Sequence, residues 1–534
     1  MLFRRAILWA GLLACFPLAQ AEEAELEQLR GDASVSIFLS FKLVDCGQNN
    51  GTLFEITNKD GQILAGAGFV GSYNTQPRSD RRRIHFFVKQ DDAPFQVEEL
   101  ARVNEQSGIY LWESGDSLYA RSRNGVDSNF YRLDDSGKTW AVDPSVTDYT
   151  LPISGETLRC KSNTVTHGDK TILNATDGEA FREHYYGGTW PQGYLVMRVQ
   201  AEKESEHSNR LSAWPWGWNG NGKEIDTEKV KSIVLRSHGE FVYAYGQLED
   251  KILAATNTGG VYVFDGREWS VLVEPGPHSY QVYSMLNYYD VLLLGHYPTG
   301  EIYQYDGESL KHLPGWPPVL EGVSKNAREA QTLTIYGGDL YAGVWPWGEV
   351  WRYNRNDETW YFVQRMFSHP EITDVTTHPY EEETKATGAV LNLWGQRVTS
   401  MVPFNDSLYI STSSKGGAMF DSKFDFLADG RWKDYGKVYR LTRPGHLSVP
   451  IAWSEERIDI KFRITPGRMW IEQGGEILAE DKTIDTKAFS DFLSYEISKG
   501  EGVFGKSGIS SSSAHIEAYP DLRSNLLKAD LIEP

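Results

Sequence analysis

Cysteine is scarce: the 534 residues hold three, Cys15, Cys46 and Cys160. No His/Cys spacing of the kind that clamps zinc accompanies them, so a catalytic thiol or a cysteine-built metal site lacks support. Long apolar runs are missing too. Beyond residue 21 nothing approaches the roughly 18 apolar residues that a membrane-spanning helix needs. Helical periodicity is nearly absent apart from a short stretch at Glu22 to Arg30. Basic charge is short: 53 Lys and Arg stand against 73 Asp and Glu, a formal net charge of -20. That balance excludes nucleic acid as a partner, since phosphate binding needs a basic face, and reads first as solubility.

What is present begins with an export signal. Arg4 and Arg5 precede an apolar run from Ala6 to Leu18, which ends in Ala19-Gln20-Ala21. This order of charged, apolar and small residues predicts a signal peptide over residues 1–21 and a secreted or periplasmic protein. The alternative is a lipoprotein box, Leu12-Leu13-Ala14-Cys15, which would anchor the chain by lipid through Cys15. Cleavage leaves Cys46 and Cys160, which an oxidising compartment would allow to pair as a disulfide.

Self-similarity carries the fold. Lys251 to Gly266, Val291 to Gly307 and Leu340 to Tyr353 each read as a strand, a Pro/Gly turn and a strand with alternating aromatics. Their turn glycines Gly260, Gly300 and Gly348 are spaced by about 40 and then about 48 residues, which suits four-stranded blades. Another strand and a tight turn precede each unit, ending at Asp250, Asp290, Asp339 and Asp406, with weaker copies at Asp60, Asp116 and Asp169. One blade per turn Asp predicts an all-β chain: a seven-bladed β-propeller over 34–443 with a C-terminal β extension over 444–534. The extension either completes a blade at the ring closure or forms a small β appendage. Within it Gly474-Gly475 reads as a hairpin turn, and the serine-rich Ser507 to Ser513 as loop.

In a blade the innermost strand starts on the face to which the second strand returns. Aligning the turn Asp residues puts His238, His278, Arg328 and Arg397 at or just before the innermost strands, and Asn257, His296 and Trp345 in the facing turns. The first blade adds Phe69 to Arg83, which carries Tyr73, Asn74, Arg78, Arg81 and Arg82 toward the same rim. Taken singly, each His or Arg reads as a solvated turn residue; their coincidence on one face makes the site. Aromatics form 13% of the chain, with 17 Trp. Such rings serve as platforms for sugar faces or pack between blades.

Neutral His, Tyr and Arg beside an aromatic groove suit β-elimination on a uronate polysaccharide. Arg neutralises the carboxylate, a neutral His removes the weakly acidic proton, and a His or Tyr protonates the leaving oxygen. No cofactor is required for this chemistry, and a structural calcium or zinc ion is left open. Hydrolysis would instead need two acids across the groove; no aligned Asp/Glu pair is visible, and Glu381 to Glu383 stay as candidates.

At His278, His296 and the arginines of the following blades, the chain resembles the propeller ulvan lyases, secreted polysaccharide lyases of marine bacteria. The resemblance spans roughly residues 34 to 443 and implies cleavage of a sulfated, uronate-containing polysaccharide by β-elimination. It implies His278 and His296 as base and carboxylate-side groups, and Arg328 or Arg397 as the neutralising cation. Tyr380 is implied as proton donor, with Tyr297 as the alternative; Tyr336 falls on the far face and is set aside. His238, Tyr297, Trp345 and Arg78 complete the expected substrate contacts, and a monomer acting on an anionic polysaccharide is expected. A non-catalytic propeller that binds glycans or proteins, and a glycoside hydrolase, are the competing readings.

Overall fold

The strands form where apolar and polar residues alternate, and the turns between them require backbone that few residues adopt. In the hairpins that end at Asp116, Asp250, Asp290 and Asp406, the preceding residue (Gly115, Glu249, Tyr289, Asn405) takes a positive φ between 53° and 55°. A left-handed backbone conformation at that position lets the turn follow the right-handed twist of the flanking strands.

The computed structural model describes residues 34–43, 52–58, 61–67, 83–89, 95–124, 127–146, 150–153, 156–187, 193–201, 209–216, 225–236, 239–276, 281–325, 327–374, 377–389, 392–451, 457–484, 509–519 and 529–530. They fall into two compact units, the larger covering Lys42–Arg457 with Val503–Ser510. Among them no helix is long and apolar enough to cross a membrane.

The larger unit is a β-propeller built of four-stranded antiparallel meanders. One comprises Gln281–Tyr288, Val291–Tyr297, Ile302–Tyr305 and Leu310–Leu313; the next comprises Glu329–Tyr336, Asp339–Trp345, Glu349–Asn354 and Thr359–Arg365. Others run from Thr150 to Asn174, from Glu179 to Val234 and from Val242 to Val273. Innermost strands pack side by side in the order Val242–Leu248, Gln281–Tyr288, Glu329–Tyr336, Arg397–Phe404 and Gly108–Ser114. The last contact is a closure between distant parts of the chain: the Thr399 and Ser411 hydroxyls each donate to the Ile109 carbonyl at 2.9 Å.

Two outer strands are exchanged across this closure. Gln96–Glu99, from the N-terminal side, pairs with Val438–Thr442. His446–Pro450, from the C-terminal side, pairs with Arg83–Lys89.

The turn-Asp alignment needs correction in two places. Asp169 joins the third and fourth strands of its sheet, Thr164–His167 and Lys170–Asn174, not the first and second. The meander from Glu179 to Val234 has its first connection at 188–192, outside the described residues, so no turn Asp marks it. The sheet of Thr52–Asn58, Gly61–Ala67, Arg83–Lys89 and His446–Pro450, expected as the first blade, packs against the turns that join first and second strands elsewhere. Arg83 donates to the Gly115 carbonyl at 2.8 Å and lies over the Phe404 ring, and Leu64 and Phe87 share a core with Leu286, Ile335 and Leu340. Lys89, Arg352 and Arg443 converge on buried Asp339 at 2.9, 2.6 and 2.9 Å.

The smaller unit takes Met1–Phe41, Ile458–Gly502 and Ser511–Pro534. Ser34–Leu43, expected to open the propeller, pairs instead with Ile458–Thr465. Ile458, Ile460, Phe462 and Ile464 are buried and alternate with the more exposed Asp459, Lys461, Arg463 and Thr465, the period-two pattern of a sheet with one covered face. Gly474 and Gly475, both at positive φ, form the expected hairpin turn between Arg468–Gln473 and Glu476–Asp481. The serine-rich segment does not form a loop: Ile509–Tyr519 is a strand of the same sheet, because serine fits a strand wherever pairing partners are available.

The disulfide expectation is also corrected. Cys160 is a free thiol, its Sγ 3.9 Å from Met197 Sδ, and burial pushes its pKa up. Cys46 lies outside the described residues.

Candidate functional site

Antiparallel pairing builds the mouth of the ring. Gln281 pairs with Tyr297, Glu329 with Trp345, and Arg397 with Ser413, so each innermost strand starts where its neighbour ends. Just inside these starts, consecutive innermost strands carry a register shift at the same point, after Val242, Val282, Ala330 and Val398. A bulge places one extra residue and re-aims its side chain. The extra residues are Tyr243, Tyr283, Gln331 and Thr399.

Rings line one side of this mouth. Phe241 meets Tyr243 at 5.1 Å, Tyr243 meets Tyr283 at 5.1 Å, Tyr283 meets Tyr297 at 6.4 Å, and Tyr297 meets Trp345 at 6.3 Å. The Arg397 guanidinium lies 5.4 Å from the Trp345 ring and donates to the Asn392 and Gly395 carbonyls at 3.1 and 3.0 Å. Trp345 Nε1 is buried without a hydrogen-bond partner among the described residues.

Two carboxyls sit beside these groups. Glu329 is 0% exposed and accepts from Gln331 Nε2 at 2.6 Å. Glu381 is 1% exposed and projects from the helix Pro379–Ala386. His378 caps that helix, accepting from the Tyr380 amide at 3.2 Å. Gly395 leaves room for the carboxyl: a Cβ there would meet Trp345 Nε1 at 2.1 Å and Glu381 Oε1 at 2.5 Å.

The four charges perturb one another. Burial raises the Glu381 pKa to about 7; the Glu329 carboxylate adds to the rise, while Arg397, the Gly395 amide and Lys415 oppose it. Burial likewise raises Glu329 against the pull of Arg397, Gln331, Tyr283 and Lys415. Lys415 is lowered by burial and then by Arg397. Tyr297 is raised by burial and by both glutamates. Burial thus raises both carboxyls, Glu381 to about 7, while Arg397 and Lys415 pull the other way, so the two groups share the field of the same cations.

Of the residues expected from the sequence, Arg397, Tyr297 and Trp345 stand at this mouth. His278, His238 and Arg78 lie outside the described residues. His296 does not join Arg397: adjacent strand residues point to opposite faces, so Tyr297 takes the mouth and His296 turns away. Its Nδ1 is 3.0 Å from Thr299 Oγ1 and its ring packs on Tyr303 at 4.9 Å. Burial, then the His312 charge, lowers its pKa to about 4. Arg328 is off the mouth for the same reason, one residue before Glu329. It is fully buried, bonded to the Pro318 carbonyl at 2.9 Å and paired with Glu349 at 3.3 Å.

Tyr380 is corrected as well. It is buried, stacked on Phe426 at 4.4 Å and part of a core with Trp394 and Tyr435, so the helix presents Glu381 to the mouth instead. Tyr336 lies, as expected, on the opposite face, donating to the Asp406 carbonyl at 2.9 Å. Sequence reasoning missed Glu329, Lys415, Tyr243 and Tyr283. Glu329 is the first residue of its innermost strand and Tyr243 and Tyr283 are bulge residues, so they stand out only once each strand start and bulge is fixed; Lys415 lies in the loop after Ser407–Ser413, where no repeat position marks it. Among the described residues no group of three or more His, Cys, Asp or Glu is gathered to hold a metal ion.

No family model and no curated protein matches this chain. Solved structures give distant similarity. The computationally designed Ika8 protein is 11% identical with a TM-score of 0.32, covering 60% of this chain and 96% of its own. YCF48 from Cyanidioschyzon merolae is 10% identical with a TM-score of 0.27, covering 57% and 95%. The Bacteroides ovatus xyloglucan PUL GH43B is 10% identical with a TM-score of 0.21, covering 90% and 96%.

Proposed function

We propose that this chain is an exported, carbohydrate-active propeller that binds a polysaccharide across the mouth and cleaves it by carboxyl acid–base catalysis. The observation that carries this reading is the pair of buried carboxyls, Glu329 and Glu381, both in the field of Arg397 beside a row of aromatic rings. Glu381, held protonated up to about pH 7, donates its proton to the departing glycosidic oxygen. Glu329, whose ionised form Arg397 and Gln331 favour against the effect of burial, acts as base or nucleophile on the sugar. Tyr243, Tyr283 and Tyr297 supply apolar ring faces for the pyranose. Lys415 and Arg397 give the mouth a local positive charge suited to an acidic sugar, although the chain as a whole is acidic.

The second reading is the uronate lyase. In its favour is a His296 that stays neutral at pH 7, the form a base needs. Against it, Arg328 is committed to Glu349 and Arg397 to the two glutamates' field.

Incubation of the full chain with ulvan, polygalacturonate and arabinoxylan distinguishes the two. Hydrolysis gives new reducing ends without the unsaturated-uronate absorbance band, and Glu381→Gln or Glu329→Gln lowers the rate by about 10²-fold or more. Absorbance in that band, abolished by His296→Asn and intact in Glu381→Gln, would transfer the assignment to the lyase. Binding without any cleavage would leave a glycan-binding propeller.

A further inference from the structure

The loop that carries Lys415 into the mouth continues to a feature that the acid–base centre does not use. It spans residues 414–437, between the strands Ser407–Ser413 and Val438–Thr442. Its start is fixed on both sides. The Ser414 amide donates to the Ser107 carbonyl at 3.0 Å and the Lys415 amide to the Leu393 carbonyl at 2.8 Å. Gly416 and Gly417 then turn the chain at positive φ, and Gly417 lies so close to Gly108 and Arg123 that a Cβ would meet the Arg123 carbonyl oxygen at 2.1 Å.

Most apolar residues of this loop are buried. Phe424, Phe426, Leu427 and Tyr435 pack with Tyr380 and Trp394. Met419 and Phe420, just past the held turn, are 66% and 49% exposed. The Phe420 ring rests on Trp432 at 5.3 Å and 33°, with the Lys433 ammonium 5.6 Å from the Trp432 ring. A ring pair left partly in water forgoes apolar burial, which a stacked ligand would recover.

The loop joins this pair to the mouth. Lys415, at its start, lies in the field of Glu329, Glu381 and Arg397, and Trp432 packs against the core that holds Tyr380, the neighbour of Glu381. We propose that Phe420 and Trp432 form a second sugar-stacking subsite, which takes a pyranose of the same polysaccharide on the side of the carboxyls away from Tyr243 and Tyr283. The subsite rests on the carbohydrate reading of the mouth, and it makes affinity depend on chain length, because a short oligosaccharide fills the inner rings alone.

The test uses the full chain, with Phe420→Ala and Phe420→Tyr beside wild type and matching unfolding transitions as the check of folding. Migration through gels containing ulvan, polygalacturonate or arabinoxylan measures binding without need of activity. Calorimetry then compares trigalacturonate with octagalacturonate. The subsite predicts that Phe420→Ala weakens the octamer about three- to tenfold, leaves the trimer unchanged, and that Phe420→Tyr restores the octamer. Equal octamer affinity in Phe420→Ala and wild type overturns the subsite and leaves the carbohydrate reading intact. So does a wild-type dimer, seen by sedimentation, that Phe420→Ala dissociates without loss of glycan binding. If wild type is retarded by none of the three polysaccharides and binds neither oligomer, the carbohydrate reading falls and the subsite with it.

Discussion

Two pairs of neighbours in the chain, His296 with Tyr297 and Arg328 with Glu329, decide what the mouth can do. In each pair the two side chains point to opposite faces, so an error of one residue in the strand start exchanges an imidazole for a phenol and a guanidinium for a carboxylic acid. The chemistry that survives is that of Glu329 and Glu381, and Glu381 has a measurable consequence for stability. Its pKa rises from an ordinary 4.5 to about 7 in the folded chain. The folded state therefore binds the proton more tightly, and that stabilisation, full below pH 4.5, is lost as pH rises through about 7. Glu381→Gln removes the dependence. Its melting temperature relative to wild type should rise between pH 5 and pH 8, with a gain on the order of 2–3 kcal/mol at the upper end. A difference that stays flat across that range would show that Glu381 is solvated.

At the scale of elements, the helix Pro379–Ala386 was not legible in the sequence. It is two turns long with no apolar stripe, and only its cap, His378 followed by Pro379, announces it. The bulges were equally silent, since each lies within the first three residues of its strand, where no run of alternation precedes it to be interrupted. The strands of the middle meanders, by contrast, were plain from their aromatics and Asp-Gly turns. The sheet that packs against the far turns carries its own prediction. His85 and His446 are buried there, ring centroids 5.7 Å apart, with Phe87 beside both and Tyr336 beside His446. Burial and then the Arg83 charge lower His85 to about 3; burial, His85 and Arg83 lower His446 well below 6.5. Depressed pKa values mean that the unfolded chain takes up these protons first, so stability is full above pH 6.5 and declines as pH falls toward about 3. His446→Phe, which preserves the ring contacts, should flatten that decline in acid-unfolding curves; an unchanged acid midpoint would assign the decline to other groups.

The whole propeller unit is tied by contacts between residues far apart in sequence. Asp339, at the turn end of its strand, receives Lys89 from the N-terminal sheet, Arg352 from its own meander and Arg443 from the last connection. Asp339→Asn leaves three cations converging on a neutral amide, and a loss of about 3–5 kcal/mol is expected in denaturant titration, since breaking a buried pair strands its partner. Activity per folded molecule should hold, because Asp339 lies at the end of its strand opposite Trp345 and the mouth. A change below 1 kcal/mol would mean that water reaches the site. The sequence by itself determined that this chain is built from β-meanders and that Arg397, Tyr297 and Trp345 come to one end of the ring. Those properties are local: alternation, turn chemistry and composition act within a few residues. Tertiary structure alone decided that the sheet of Thr52–Asn58, Gly61–Ala67 and Arg83–Lys89 packs beside the turns, that outer strands are exchanged across the closure, and that two glutamates some fifty residues apart share one arginine's field. Register, bulges and closure depend on which distant backbones pair, and that depends on the summed packing of the folded chain rather than on any residue taken alone.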